Sequence, residues 1–296
     1  MRVVLTGSSG RVGRAIFSAL AGAYDIVGLD RSPFSTTHVV GDVADEALLH
    51  AAFEGADAVI HAAALHAPHV GTIADAEFSR INVEGTRLVA EAALAAGIRR
   101  LVFTSTTALY GDAVAAGHCR WIDETTPPRP KTVYHRTKLD AEDILESLAG
   151  KAMTVRVLRM SRSFPESAGI MASYRLHRGI DIRDVADAHV AALSHAGGQF
   201  ERYIVSAQTP FEIADCEALA GDAAAVIRLR APALAEAFAH RGWRLPRAID
   251  RIYDSSSAIR ALGWRPHFGF AEVLAQLDRR SLEVFPAASP SSRKPE

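Results

Sequence analysis

Near the start of the chain, a short apolar segment runs directly into a glycine-rich turn. Residues 2–6 have the pattern of a buried strand, residues 6–13 read T-G-S-S-G-R-V-G with glycines spaced G-x-x-G-x-x-G, and a helical pattern begins at once. Glycine permits a tight turn, lets backbone N–H groups approach a pyrophosphate and allows the helix to pack closely on the strand. Glycine triplets also occur in ordinary turns, so the strand before and the helix after are what favour dinucleotide binding. The residues expected to contact a dinucleotide here are Gly7, Ser9, Gly10, Arg11, Val12 and Gly13.

Beyond this turn, the first half of the chain alternates short apolar runs with longer amphipathic ones. Strands are predicted at residues 2–6, 25–30, 58–62, 100–105 and 154–159. Helices are predicted between them at residues 11–21, 45–53, 75–96 and 133–148. Near-continuous apolar strands separated by helices indicate a parallel sheet covered on both faces, with right-handed crossovers. The sequence therefore predicts an α/β fold built on a doubly wound, Rossmann-type parallel sheet.

The pattern becomes less regular after about residue 160. Helices are predicted there at residues 184–194, 212–220, 234–239 and 270–281. Ligands of open α/β sheets bind outside the carboxyl ends of the strands, so this part is expected to form a smaller C-terminal substrate lobe closing over that edge. The predicted division is an NAD(P)-binding domain at 1–160, with some later segments completing the sheet, a mainly substrate-binding lobe at 161–285, and a Pro/Ser-rich disordered tail at 286–296.

Composition narrows the classes of function. The 296 residues include 33 Lys and Arg and 34 Asp and Glu, and a formal net charge of −1 offers no bulk positive surface to nucleic acid or an anionic membrane. No apolar run approaches the ~20 residues needed to span a bilayer. Cys119 and Cys216 are too few for a disulfide framework and lack the C-x-x-C spacing of a zinc site. These features predict a cytoplasmic protein that acts on a small molecule, with no nucleic acid or membrane as a partner.

An acidic residue at the end of the second strand bears on the choice of cofactor. Asp30 lies 20 residues beyond Gly10, where a carboxylate would accept hydrogen bonds from the adenosine ribose and repel a 2′-phosphate, unless it simply ends the strand. This favours NAD over NADP. Arg31 follows immediately and could instead hold a 2′-phosphate, so NADP stays open. Asp42 and Val43 could present a carboxylate and backbone to the adenine edge, or Asp42 could cap the next helix.

A tyrosine and a lysine at helical spacing form the candidate catalytic pair. Tyr134 and Lys138 are four residues apart on a predicted helix and so share one face. A phenol with a pKa near ~10 is a poor acid or base at neutral pH, and a neighbouring cation stabilises its phenolate. The strand predicted before them ends in Thr104, Ser105 and Thr106, whose hydroxyls could donate to a substrate oxygen as charge develops on it. The set predicts a site that moves a proton at a substrate oxygen.

Eight segments in order share the motifs of one known family. They lie at residues 6–13, 41–43 (G-D-V), 61–64 (H-A-A-A), 81–86 (I-N-V-E-G-T), 104–111 (T-S-T-T-A-L-Y-G), 134–138 (Y-H-R-T-K), 183–188 (R-D-V-A-D-A) and 262–266 (L-G-W-R-P). In these segments the chain resembles the extended short-chain dehydrogenase/reductases, in the branch called the NAD-dependent epimerase/dehydratase family. The resemblance covers about residues 1–280.

The resemblance implies roles for the matching positions. Tyr134 would be the catalytic acid/base, Lys138 its electrostatic partner, and Thr106 the catalytic hydroxyl, with Ser105 as the alternative. Hydride would move between a substrate carbinol carbon and C4 of the nicotinamide while Tyr134 takes or returns the hydroxyl proton. The further cofactor-side positions would be His61, Ala62, Ala63, Asn82, Thr104 and Ser105. The resemblance also implies a homodimer packed through the two long helices predicted at 75–96 and 133–148.

One segment departs from the sugar-nucleotide members of the family. Asp184 follows Arg159 so soon that the loop that would grip a nucleotide diphosphate is shortened. A free sugar, a sugar acid or another polyol-like alcohol is therefore at least as good a candidate substrate as a UDP-sugar. Arg162, Arg175 and Arg178 could bind a carboxylate or phosphate of the substrate, or could be solvated surface residues.

Three histidines cluster after the third predicted strand. The spacing of His61, His66 and His69 matches no standard zinc pattern, so no metal site is expected. His66 and His69 fall in the following loop and could contact substrate.

We therefore predict an NAD(P)-dependent oxidoreductase that transfers hydride at a secondary alcohol or ketone of a sugar-like substrate. One alternative is a nucleotide-sugar epimerase or dehydratase that recycles bound NAD. Another is a non-catalytic dinucleotide-binding regulatory protein, since a fold does not dictate a function. The intact set of Thr106, Tyr134 and Lys138 argues against this last alternative.

Overall fold

A parallel sheet of seven strands forms the centre of the molecule. The computed structural model describes residues 1–150 and 152–286. The strands in this part of the chain are β1 (Arg2–Thr6), β2 (Asp25–Asp30), β3 (Val39–Val40), β4 (Ala58–His61), β5 (Arg100–Thr106), β6 (Arg120–Ile122), β7 (Thr154–Met160), β8 (Phe200–Val205) and β9 (Arg251–Tyr253). The sheet order is β3-β2-β1-β4-β5-β7-β8, and each neighbouring pair is parallel. The predicted doubly wound fold is confirmed.

Helices connect the strands and cover both faces of the sheet. In the described part of the chain they are α1 (Arg11–Leu20), α2 (Glu46–Phe53), α3 (Asp75–Phe78), α4 (Gly85–Ala95), α5 (Val133–Leu148), α6 (Ala168–Tyr174), α7 (Ile182–Ser194), α8 (Cys216–Arg230), α9 (Pro232–His240), α10 (Ser256–Leu262) and α11 (Phe270–Asp278). The prediction of a single α-helix at 75–96 is wrong in one respect. A π-helical segment, Ser79–Glu84, interrupts it and joins α3 to α4.

The side chains of the central strand β1 pack into the cores on both faces of the sheet. Val3 lies opposite Ile26 of β2 and Ala58 of β4. Val3, Val4 and Leu5 are fully buried, and because strand side chains alternate, they pack into two different cores. Val4 packs with α2, α4 and α5, whereas Val3 and Leu5 pack with α1, α7 and α10. The sheet is thus buried on both sides, as the apolar strands predict.

The part of the chain after residue 160 contributes to both the sheet and a separate cluster. β8 adds the last strand of the sheet. Buried residues of α6, α8, α9 and α11 form a third core, separate from the two on the faces of the sheet. β6 and β9 pair in parallel. The predicted tail at 286–296 lies outside the described residues except for Pro286. Among the helices of residues 1–150 and 152–286, none is long and apolar enough to cross a membrane.

Candidate active site

A cavity of about 650 Å³ opens at the carboxyl ends of the central strands. Its walls come from the turn after β1, the ends of β2, β4, β5 and β7, one face of α5 and the loop after β7. This is the edge where an open parallel sheet presents a ligand site. The predicted site residues on its walls are Gly7, Ser9, Gly10, Arg11, Val12, Gly13, Asp30, Arg31, Val43, Ala62, Ala63, His66, Thr104, Ser105, Thr106, Tyr134, Lys138, Arg162 and Arg178. Four predicted residues lie elsewhere, namely Asp42, His61, Asn82 and Arg175.

The glycine-rich turn forms a backbone cradle at one end of this cavity. Gly7 has a φ of 75°, and a Cβ there would lie 2.6 Å from a backbone nitrogen of the segment after β4. A Cβ on Gly13 would lie 2.0 Å from the carbonyl oxygen of Gly7, so both positions require glycine. Arg11 begins α1, and its guanidinium contacts the carboxylate of Glu283. The cradle and the helix N-terminus fit the pyrophosphate of a dinucleotide.

Asp30 is tied to the turn by hydrogen bonds. Its carboxylate accepts from the backbone N–H of Ser9 at 3.0 Å and of Ser32 at 2.9 Å. The carboxylate therefore lies on the cavity wall beside the turn, where a ribose would follow the pyrophosphate. Arg31 also lines this end, with its Nη1 3.8 Å from a carboxylate oxygen of Glu77.

Asp42 does not line the cavity, although its neighbours Gly41 and Val43 do. It accepts hydrogen bonds from Arg80 at 2.8 Å and from the backbone of Ala44 at 2.9 Å. Burial raises its pKa, but these hydrogen bonds and the charge of Arg80 outweigh burial and leave the pKa lowered. The helix cap is made by Asp45 rather than by Asp42, since Asp45 accepts from Leu48 N at 3.1 Å.

Tyr134, Thr106 and Lys138 all line the cavity. Burial raises the pKa of Tyr134 to about 12, and the neighbouring Thr106 hydroxyl opposes this rise through a hydrogen bond. Lys138 is buried, with its Nζ 3.8 Å from the centroid of the Phe103 ring. Burial lowers the pKa of Lys138 to about 7, and the negative charge of Glu142 opposes this fall. A positive charge brought into the cavity would favour the Tyr134 phenolate.

Ser105 belongs to a buried ionic network that the sequence did not reveal. Its hydroxyl donates to Glu142, a fully buried residue one helical turn beyond Lys138. Glu142 also accepts from the guanidinium of Arg159 at 2.6 Å and from Arg202 Nε at 3.1 Å. The Ser105 hydroxyl is thus committed to Glu142, which leaves Thr106 as the hydroxyl beside Tyr134. The sequence contained one indication of this network: Glu142 lies four residues after Lys138, so helical spacing places the two on the same face of α5.

His61 and Asn82, which were predicted to lie on the cofactor side, are buried and do not line the cavity. His61 is buried, with its ring nitrogens 2.7 Å from the Thr6 hydroxyl and 3.0 Å from the Thr86 hydroxyl. Asn82 accepts from Leu65 N at 2.8 Å and donates to Leu65 O at 2.9 Å. These contacts hold the segment after β4 in place but put neither side chain on the cavity surface.

The loop after β7 and the end of α6 form another part of the cavity wall. His66 stacks on Phe164 with ring centroids 5.9 Å apart, and Arg162 and Arg178 lie on the same wall. Arg175 does not, because its guanidinium is buried and pairs with Asp181 at 3.2 Å. Sequence reasoning also missed the aromatic wall residues Phe164, Tyr174 and Tyr253. No group of three or more His, Cys, Asp or Glu within the described residues is placed to hold a metal ion.

This combination of a doubly wound sheet, a glycine-rich turn and a Tyr–Lys pair defines a nicotinamide-dinucleotide type of site. Residues 3–169, more than half of the chain, match the model of the NAD dependent epimerase/dehydratase family. The chain belongs to this family, as its motifs predicted.

Relatives in the family act on different compounds. The chain is 37% identical over 151 residues to an L-arabinose 1-dehydrogenase (NAD(P)(+)) of Haloferax volcanii, covering 48% of this chain and 58% of that one. It is 32% identical over 163 residues to the N-acetyl-alpha-D-glucosaminyl-diphospho-ditrans,octacis-undecaprenol 4-epimerase of Escherichia coli O157:H7, covering 54% and 47%. The chain thus spans about half the length of the curated relatives that it matches.

Solved structures share the fold across nearly the whole chain. A short-chain dehydrogenase/reductase superfamily protein from Agrobacterium tumefaciens with bound NAD superimposes with a TM-score of 0.70 at 21% identity, covering 95% of this chain and 97% of that one. At this identity, the similarity establishes the fold alone.

Proposed function

We propose that this protein is an NAD(P)-dependent oxidoreductase acting on a secondary alcohol or ketone of a sugar-like substrate. One observation carries the proposal: Tyr134, Thr106 and Lys138 line the same cavity as the glycine-rich turn, and the Thr106 hydroxyl is a hydrogen-bond partner of Tyr134. A bound nicotinamide dinucleotide would supply or accept the hydride. Tyr134 would take the proton of the substrate hydroxyl during oxidation and return it during reduction, while the Thr106 hydroxyl would hold the substrate oxygen by a hydrogen bond.

The glycine-rich turn and the end of β2 would bind the cofactor. Gly7 and Gly13 let the turn pack directly against the segment after β4 and the first turn of α1, because a Cβ at either position would meet backbone atoms. The N–H groups of this turn and of the helix N-terminus would hold a pyrophosphate. Asp30 would accept hydrogen bonds from the adenosine ribose and favour NAD over NADP, whereas Arg31 would favour NADP. Equilibrium binding of NADH and NADPH to the purified protein tests this preference. A tenfold tighter binding of NADPH would overturn the assignment of NAD.

The reaction is tested by following NADH absorbance with a panel of aldoses, sugar acids and polyols. The proposal expects stoichiometric NADH formation from at least one alcohol, lost in Tyr134→Phe because the variant has no phenolic oxygen to take the proton. Tyr24→Phe is the matched control, since Tyr24 lies between α1 and β2 and away from the cavity. Unchanged activity in Tyr134→Phe would refute the mechanism while leaving the fold intact.

A nucleotide-sugar epimerase or dehydratase is the second candidate. The relative in Escherichia coli O157:H7 that is named a 4-epimerase favours it. In such an enzyme the oxidised cofactor is regenerated in each cycle, so a UDP-sugar would be converted without net NADH. Net cofactor turnover therefore separates the two candidates.

We also propose a homodimer that packs through α4 and α5. These two helices lie side by side on one face of the sheet. Light scattering at micromolar concentration tests the proposal, and a monomer mass would refute it.

A further inference from the structure

The backbone brings two arginines together on the substrate wall of the cavity. The N–H of Arg162 donates to the carbonyl of Arg178 at 3.1 Å, and the N–H of Ile180 donates to the carbonyl of Arg162 at 2.9 Å. Both guanidinium groups lie near the Tyr174 ring, 5.7 Å and 4.5 Å from its centroid for Arg162 and Arg178. Their placement is thus fixed by a short backbone pairing as well as by their aromatic neighbour.

The two arginines differ in how far their charge is compensated. Arg162 makes a two-pronged pair with Glu166, with both contacts at 2.7 Å. Such a pair uses two of the guanidinium donors and compensates its charge. Arg162 therefore keeps little capacity to bind a substrate anion.

Arg178 keeps most of its capacity. Its Nη2 donates to the Tyr174 hydroxyl at 3.1 Å, and its Nη1 is 3.5 Å from Asp250, which is long for a charged hydrogen bond. Asp250 is held more closely by Arg251, at 2.7 Å. The Nε of Arg178 is buried and has no hydrogen-bond partner among the described residues.

The charges around Arg178 leave an excess of one positive charge. Arg162, Arg178 and Arg251 face two carboxylates, those of Glu166 and Asp250. His66 on the same wall adds no charge near pH 7, because burial and the neighbouring His69 lower its pKa. An anionic ligand group at this wall would restore the balance.

We propose that Arg178 binds an anionic group of the substrate, so that the substrate class is a polyhydroxy compound carrying one carboxylate or phosphate. The inference rests on the proposed oxidoreductase function and adds a substrate class to it. A guanidinium on an aromatic face, with donors unused and partly shielded from water, matches a planar carboxylate or a phosphate. Arg178 lines the same cavity as Tyr134.

The test compares matched substrates that differ only in the group at C6, which is charged in one member and neutral in the other. D-glucuronate and glucose 6-phosphate are each compared with D-glucose, and D-galacturonate with D-galactose, by NADH formation. The expected result is a KM at least tenfold lower for an anionic member, with the two anionic arms distinguishing carboxylate from phosphate. Arg178→Gln should raise that KM about 10- to 100-fold, the loss expected for a charged hydrogen bond, with a smaller change in kcat and in the KM of the neutral sugar. Arg178→Lys should recover part of the loss.

Controls separate binding from folding. Arg228→Gln is the matched variant, because Arg228 is exposed on α8 and lies away from the cavity. It should leave each KM unchanged. Calorimetric binding of the same compounds to the protein with NADH gives a second readout that does not require turnover.

Several outcomes would overturn the inference. They are a preference for the neutral sugars, an equal effect of Arg178→Gln on neutral and anionic members, or no calorimetric binding of any anionic compound. Oxidation of the neutral sugars at a KM equal to or lower than that of their anionic counterparts, by a protein that still needs Tyr134, would refute the anion site and leave the proposed function standing. If anionic compounds bind through Arg178 but no alcohol of the panel is oxidised or epimerised, the proposed function fails instead.

Discussion

Replacing Glu142 by glutamine tests the buried ionic network behind the candidate active site. The side chain of Glu142 is fully buried, and that of its partner Arg159 is only 3% exposed. The glutamate accepts hydrogen bonds from Ser105, Arg159 and Arg202. Glutamine removes the negative charge and leaves the Arg159 guanidinium buried without a counter-ion. Breaking a buried pair from one side typically costs about 3–5 kcal/mol of unfolding free energy.

The same helix provides a matched control one turn further on. Glu146 also pairs with Arg202, at 2.6 Å, but its side chain is 52% exposed. Exposed pairs contribute about 0.2–1 kcal/mol, because water screens their attraction. Glu146→Gln should therefore destabilise the protein by at least about 2 kcal/mol less than Glu142→Gln does.

Urea unfolding followed by circular dichroism at neutral pH measures both variants. The double variant Glu142→Gln/Arg159→Met should lose less stability than the two single losses added together, since it removes the buried charge that the first change leaves without a partner. If Glu142→Gln costs no more than Glu146→Gln, the assignment of Glu142 as the buried counter-ion is wrong. An additive double variant would show that Arg159 and Glu142 do not act as a pair.

Three further predictions concern the site and its supports. Because the pKa of Tyr134 is about 12 before a cofactor binds, alcohol oxidation should speed up as pH rises from 7 to 9, and a flat pH profile would contradict its role as the base. Gly13→Ala should abolish NADH binding by fluorescence titration, because its Cβ would lie 2.0 Å from a backbone oxygen, whereas Gly221→Ala, with open space around it, should bind normally. Burial lowers the pKa of His61 to about 3 and of His189 to about 4, so the unfolded chain binds more protons below its usual histidine pKa. Unfolding free energy in urea titrations should therefore fall as pH falls from 7 to 5, by about 2 kcal/mol for each of these histidines.

The strands of the first half were predictable because each is a nearly continuous apolar run. The predicted strands at 2–6 and 25–30 have the observed bounds of β1 and β2. The strand predicted at 100–105 extends one residue further, through Thr106. Such strands need apolar residues on both sides, since helices cover both faces of the sheet.

Other elements were missed because their residues carry no such pattern. β8 reads F-E-R-Y-I-V, and its polar residues are explained only by distant partners: Glu201 pairs with Arg156 of β7, and Arg202 with Glu142 of α5. β3 has two residues, and β6 and β9 have three each, too few to show a period. The π-helical segment Ser79–Glu84 changes the backbone hydrogen bonds without changing the hydropathy pattern.

In the candidate site too, residues with local partners could be predicted from the sequence, and residues with distant partners could not. Tyr134 and Lys138 could be placed together because helical spacing alone puts them on one face. Arg175 and Arg178 are three residues apart, and nothing in the local sequence indicates which of them lines the cavity. Arg175 is buried and pairs with Asp181. Arg178 lies on the cavity wall, and its carboxylate neighbour Asp250 pairs more closely with Arg251. Whether an arginine here is buried in an ion pair or lines the cavity is thus decided by the carboxylates that the tertiary fold brings to it, and the local sequence does not contain that information.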